Sequence, residues 1–367
     1  MPDDKTPGVH VEERDPRRRR IEGASTSVAA FVGFAECGPN DPTLVRSFAG
    51  YSSTFGGFAG TGYLPYAVRG FFQNGGVRCY VLNLPAGVSD AGSALALLES
   101  LDDVSIVSSP DEHSISGMTA ALIEHCERMR YRFAVLGAPA GSDLSDAPGV
   151  QSSHAAYYAP WVMVRSEGGD AAKAVHPGGH VTGAMVANDL RRGVQQAPAN
   201  LPMEGIEGLE RNITQQQQEA LSPRGVNVIG NLPGRPCRIW GARTTSSDFE
   251  WKYVNIRRYL SYLEQSIDQG TQWAVFEPNG EQLWANVRET IEDFLLNEWQ
   301  SGALLGNQPE QAYSVRCDRT TMSQDDIDNG RLLCLVGVAA LKPAEFIVFR
   351  IGQWTADAPP CPSGALA

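Results

Sequence analysis

Three stretches, Ser27-Val28-Ala29-Ala30-Phe31-Val32-Gly33-Phe34-Ala35, Leu64-Pro65-Tyr66-Ala67-Val68-Arg69-Gly70-Phe71-Phe72-Gln73-Asn74-Gly75-Gly76 and Arg78-Cys79-Tyr80-Val81-Leu82-Asn83-Leu84, decide the fold class. The first is a short apolar run bounded by small polar residues and by Gly38-Pro39, and it reads as a buried strand. In the second, Leu64, Ala67, Val68, Phe71 and Phe72 recur at helical spacing, and Asn74-Gly75-Gly76 is a stop signal. The third reads as another strand. Strand, helix and strand in succession are the unit of an α/β core.

The same rhythm continues outward. The pattern predicts a helix over 91–101, a strand over 103–107 and an amphipathic helix over 116–130 that carries Met118, Ala121, Leu122, His125 and Met129. Apolar strands are predicted over 131–136 and 160–164, with a loop between 137 and 153. Residues 198–225 are turn-rich and return the chain to its first domain. Further on, Phe249, Tyr253, Ile256, Leu260, Leu263 and Ile267 form one stripe along a helix of about five turns. Leu283, Val287, Ile291, Phe294 and Leu295 mark a second helix, and 332–338 and 345–351 are β-rich. Residues 1–24 are too short and polar to bury themselves and read as an extended arm.

A chain of 367 residues exceeds the usual single-core size, so two domains with terminal extensions are expected. The net charge of −12 opposes general nucleic-acid binding, which neutralises phosphates with Lys and Arg. The run Arg17 to Arg20 is a local exception. No run of about 18 apolar residues predicts a membrane span. Met1-Pro2-Asp3-Asp4-Lys5 lacks the apolar region of a secretory signal, so production in a bacterial cytoplasm is expected. Seven scattered cysteines, several in apolar runs, fit reduced and mostly buried thiols.

Motifs for chemistry are sparse. There is no Gly-x-x-x-x-Gly-Lys-Ser/Thr loop, and the glycines of 56–62 have the wrong spacing for a dinucleotide fingerprint. His125-Cys126-Glu127 echoes the zinc deaminases, but Pro236-Cys237 is followed by Arg238-Ile239-Trp240, so a required ligand is missing. A packed or surface histidine on the helix is the expected role for His125. His176-Pro177-Gly178-Gly179-His180 reads as a turn and not as a metal site. A Ser-His-Asp triad needs only meet in space, yet no nucleophile elbow supports one. Asp325-Asp326-Ile327-Asp328-Asn329-Gly330 lacks calcium-loop spacing and reads as a short helix capped by Ser323 and ended by Gly330. No cofactor and no metal are expected.

Several segments together resemble the tail sheath proteins of contractile phages, and most closely the sheaths of extracellular contractile injection systems of the antifeeding-prophage type. They are Pro7-Gly8-Val9-His10-Val11-Glu12-Glu13, the 25–33 and 63–76 stretches, and Ala197-Pro198-Ala199-Asn200. Trp240-Gly241-Ala242-Arg243-Thr244, Trp251 to Arg258, Arg316 to Met322 and Asp326 to Arg331 complete the set, in order along nearly the whole chain. The resemblance implies an α/β, mixed-sheet, two-domain fold: a subtilisin-like α/β domain without its catalytic triad, a C-terminal α/β sheath domain, and extended N- and C-terminal arms. The expected division is an arm at 1–24, a discontinuous core of 25–85 with 236–343, an inserted domain at 86–235, and a linking strand and tail at 344–367.

The implied function is that of a structural subunit, not an enzyme. It polymerises helically around an inner tube and contracts while arms exchanged between neighbours keep subunits connected. The expected linking residues are Val9 and Val11, Arg17, Arg18, Arg19 and Arg20, and either Phe346, Val348 and Arg350 or Ile347, Phe349 and Ile351. Arg257 and Arg258, or Asp325, Asp326, Asp328 and Arg331, are the candidates to face the tube. Expected partners are other copies of the chain, the tube protein, baseplate and cap proteins, and paralogous sheath subunits. A baseplate or adaptor protein built from the same modules, and an α/β hydrolase-type enzyme, are the alternatives.

Overall fold

The computed structural model describes residues 20–345, apart from 86, 89, 167–171 and 232–235. The chain runs through β1 (Val28–Gly33), β2 (Thr43–Val45), α1 (Phe48–Phe55), α2 (Leu64–Gln73) and β3 (Arg78–Asn83). It continues with α3 (Ala91–Ala96), β4 (Ile106–Ser108), α4 (Met118–Met129), β5 (Phe133–Gly137) and β6 (Ala155–Ala159). Next come β7 (Val162–Arg165), β8 (Ala172–Val175), α5 (Gly178–Arg192), β9 (Leu201–Pro202), β10 (Gly208–Leu209), α6 (Gln215–Leu221), β11 (Val226–Gly230) and β12 (Arg238–Ile239). The last part holds α7 (Val254–Thr271), α8 (Glu281–Gln300), α9 (Pro309–Ala312), β13 (Tyr313–Arg316), α10 (Gln324–Asp328) and β14 (Leu335–Val338).

A 9-stranded mixed sheet has the order β2-β3-β1-β4-β5-β6-β11-β12-β9. Its inner run from β3 to β11 is parallel, and antiparallel pairs close both ends. β1 lies inside this run and feeds both faces. Val28, Ala30 and Val32 join the core under α3 and α4, while Ala29 and Phe31 join the core under α1, α2 and α5. Burial on both faces explains why its sequence is continuously apolar and not alternating.

α2 and α5 pack backbone to backbone. A Cβ on Gly179 would sit 2.2 Å from the Ala67 carbonyl oxygen, and one on Gly183 would sit 2.4 Å from that of Phe71. The 176–180 segment is therefore not the expected turn but the entry to α5, and its glycines are there for contact. A third core assembles α7, α8 and the β13–β14 pair around Tyr259, Leu263, Trp284, Val287 and Phe294.

Two sequence expectations change. β1 pairs with β3 on one side and β4 on the other, and Cys237, Ile239, Ala242 and Val254 join the core that holds Ala29 and Phe31, so 25–85, 86–235 and the start of 236–343 share one sheet and core. The long helix begins at Val254, leaving Phe249 outside it and 69% exposed. The strand expected at 160–164 is β7, which leaves the main sheet to pair with β8 and β10, while Ala155–Ala159 is the strand that continues it. No helix of the described residues is long and apolar enough to cross a membrane.

Candidate functional site

In doubly wound sheets the ligand crevice lies at the carboxyl ends of the strands where the strand order reverses. Here that point falls between β1 and β4, since the chain passes from β1 out to β3 and then back across to β4. The crevice is filled by the chain itself. Asp111 accepts the N–H of Phe34 at 2.9 Å and that of Tyr63 at 2.8 Å, pinning the segments that follow β1 and precede α2. Burial pushes its carboxyl up, against the pull of those two donors.

Glu112 accepts the N–H of Gly137 at 2.7 Å and meets His176 Nε2 at 3.0 Å, with both side chains fully buried. His113 reaches the Gly137 carbonyl at 2.8 Å, and Ser108 donates to the Val135 carbonyl at 2.8 Å. A Cβ on Gly178 would lie 2.4 Å from the Ser108 hydroxyl, so the start of α5 closes the remaining space. Serine, histidine and carboxylate thus meet, but each is spent on holding strands and helix together. Among the described residues, no cluster of three or more His, Cys, Asp or Glu has metal-binding geometry. Of the two roles open to His125, packed or at the surface, it takes the first and is buried. Arg132 Nη1 lies 2.7 Å from its Nε2, and burial followed by Arg132 and Arg128 brings its pKa down to about 4.

The chain's two described ends are anchored beside the C-terminal core. Ile21 packs into the notch at Gly270, where a Cβ would lie 2.6 Å from it, and the Ala24 N–H donates to Ser266 Oγ at 2.9 Å. Arg20, just before this anchor, is exposed. At the other end Arg243 donates to both Glu345 oxygens at 2.7 Å, joined by Lys252 at 3.1 Å and the Tyr253 hydroxyl at 3.0 Å. Burial opposes the charge, but the hydrogen bonds from Arg243 and Lys252 outweigh it and bring Glu345 down to about 2. Val9, Val11, Arg17, Arg18, Arg19, Phe346, Ile347, Val348, Phe349, Arg350 and Ile351 lie outside the described residues.

β13 and β14 form a sheet of two strands, in the register Tyr313 with Val338 through Arg316 with Leu335. Among the described residues each pairs only with the other. Leu335 and Val336 are exposed on it at 51% and 38%, and Leu333, two positions before it, at 43%. The connecting segment carries α10, whose Ser323 and Asp326 form a reciprocal cap, while Gly330 at φ 70° ends the turn. Arg331 reaches back to Asp325 at 2.7 Å and Asp326 at 2.8 Å, and Asp328 accepts from Gln324. Asp325, Asp328 and Arg331 are exposed and Asp326 is half-buried.

Arg257 and Arg258, the other expected tube-facing pair, are only 7% and 6% exposed. Arg258 is held by Asp189 and by the Thr26 carbonyl, and Arg257 lies over the Trp251 ring at 4.2 Å with Glu264 at 3.3 Å. Both guanidiniums bind within the protomer.

Family models for the phage tail sheath protein central domain and C-terminal domain match residues 86–245 and 246–353. The chain belongs to the phage tail sheath family. The sheath protein is similar in structure to the contracted helical sheath of the anti-feeding prophage, with TM-score 0.80, 32% identity, and 95% of this chain and 99% of that chain covered. A contracted PVC sheath complex, from an extracellular contractile injection system, gives TM-score 0.82 and 29% identity over 95% of this chain and 97% of that chain. A putative prophage major tail sheath protein of Pseudomonas aeruginosa (strain UCBPP-PA14) is 23% identical over 288 residues, 74% of this chain and 73% of that relative. The mixed-sheet sheath fold expected from the sequence is the fold of the sheath protein.

Sequence reasoning missed the Glu345 clamp, the filled crevice and the exposed Phe276, which stands at φ 67°. The run of three strong β-formers in Leu335-Val336-Gly337-Val338 was a signal for the open sheet, but exposure is not written in a strand pattern.

Proposed function

We infer that the sheath protein acts as a structural subunit of a contractile sheath, assembled by strand exchange between copies. The observation that carries this reading is the β13–β14 sheet, whose strands have only each other among the described residues and which exposes Leu335 and Val336. An isolated two-stranded sheet is marginal in water and gains most from further strands. The two anchored ends, Ile21 at Gly270 and Glu345 at Arg243, lead into 1–19 and 346–351, which hold the alternating apolar residues for strand addition.

In this reading Val9 and Val11 enter the sheet of one neighbour, and Phe346, Val348 and Arg350 or Ile347, Phe349 and Ile351 enter that of another. Arg17 to Arg20 lie against acidic surfaces of adjacent copies. The exposed Asp325, Asp328 and Arg331 face the inner tube with Asp326. Baseplate, cap and paralogous sheath subunits contact the ends and rings of the polymer, which assembles in the bacterial cytoplasm without nucleotide. The self-filled crevice favours a structural over a catalytic role.

Negative-stain microscopy of the purified full chain tests the reading. Hollow ribbed cylinders are expected, and their loss on deletion of residues 1–19 with the far-ultraviolet circular dichroism intact. Cylinders that survive loss of both 1–19 and 346–367 would rule out strand exchange.

A further inference from the structure

The crossed register of β13 and β14 carries a feature that assembly does not use. Arg316 pairs with Leu335, so the next position sets Cys317 against Cys334. Directly opposed residues of an antiparallel pair have Cα atoms about 4.5–5.5 Å apart. That range lies within the roughly 4.4–6.8 Å span over which disulfides form. Each thiol lies near enough to act on the titration of the other, so the two side chains are neighbours. Both are free thiols. Cys317 is 1% exposed, and Cys334 is half-buried and open to solvent on one side. Cys79, Cys126 and Cys237 are buried elsewhere, and Cys37 is exposed.

We propose that Cys317 and Cys334 are a latent redox pair, which an oxidised small-molecule thiol closes into an intramolecular disulfide across the mouth of the β13–β14 hairpin. The oxidant is a low-molecular-weight disulfide of the glutathione class. The Cys334 thiolate attacks one sulfur of the reagent, breaks its S–S bond and expels one thiolate. Cys317 gives up its proton to solvent and attacks the Cys334 sulfur of the mixed disulfide, expelling the second thiolate. One S–S bond is broken and one is made in the protein. Two electrons pass from the cysteine pair to the reagent, and the two released thiolates take up the two protons.

Burial, with Cys317 and Glu292 beside it, pushes Cys334 up to about 12. The thiolate is therefore scarce at neutral pH, exchange is slow, and it quickens as the solution becomes alkaline. A reducing cytoplasm keeps the pair open, and release into an oxidising medium closes it. The disulfide ties together both ends of the segment that carries α10 and its exposed aspartates. That last consequence rests on the sheath reading above, whereas formation of the bond does not.

The test is to incubate the full chain with oxidised glutathione at mildly alkaline pH, digest it without reductant, and map the peptides by mass spectrometry. The expected product is a cross-linked pair containing Cys317 and Cys334, lighter by two hydrogens. It should raise the thermal midpoint by about 5 °C, reversibly with dithiothreitol. C334S should lose both the product and the shift. Exposed Cys37 reports that the reagent is active. Modified Cys37 beside free Cys317 and Cys334, or a glutathione adduct that persists on Cys334, overturns the proposal. Peptide mapping is independent of polymerisation, so a negative result leaves the sheath reading to its own microscopy.

Discussion

Arg258 on α7 meets Asp189 on α5 through two hydrogen bonds, at 3.1 and 2.6 Å, with side chains 5% and 1% exposed. The same guanidinium donates to the Thr26 carbonyl at 3.0 Å, just before β1. One side chain therefore ties the C-terminal helices, the α5 layer and the entry to the main sheet. Removing it in R258A leaves a buried carboxylate unpaired, at a cost of about 3–5 kcal/mol. Chemical denaturation of R258A, D189L and a R258M/D189L double variant is the check. The double variant should recover most of the loss, because no uncompensated charge remains.

Gly179 meets the Ala67 main chain with no room for a methyl group. G179A should destabilise the chain by about 1–3 kcal/mol or more, since the Ala67 backbone cannot swing aside. A Gly50→Ala control on α1, whose added Cβ would come no closer than 3.4 Å to Ser47 Oγ, should cost far less. Thermal melts of the two variants decide it.

The strand–helix–strand core was legible because periodicity reports burial, and β1, α2 and β3 each keep their pattern over a full element. Arg257 and Arg258 were not legible. Charged residues on a helix read as solvent-facing, and nothing local signals that Asp189 waits 69 positions away. The 176–180 segment reads as a turn because its glycines look flexible, whereas their meaning lies in the distant Ala67 and Ser108 that approach them. Strand partners are hard to read for a similar reason: β1 pairs on two sides, and a one-dimensional pattern does not say with whom.

Three histidines set an acid response, His154 among them, lowered by burial and by Arg257. Burial, with Arg132 and Arg128, brings His125 to about 4, and burial with Arg69 brings His180 to about 4. The unfolded chain takes up these protons below its ordinary histidine value of 6.5, and the folded chain does not until about 4. Their contribution is whole above pH 6.5, and stability falls as the pH drops from 6.5 through 4. H125Q, which keeps an acceptor for Arg132, should flatten part of that slope. Urea midpoints at stepped pH measure it.

The open sheet separates folding from assembly. L335K places a charge on a residue 51% exposed, so the monomer's stability should stay within about 0.5 kcal/mol of the unmodified chain. Cylinder yield by negative-stain microscopy should collapse, because the added ammonium sits where an incoming strand would stack. Full-length cylinders from L335K would remove the β13–β14 sheet as the acceptor.

Glu345 behaves as a cleat for the rope that follows it. A pull on the C-terminal segment would pass through Arg243, Lys252 and Tyr253 into the bridge between Arg243 and Tyr253 and the first turn of α7. The traction thereby bypasses β14, and the hairpin can receive a guest strand without carrying its own tail's load.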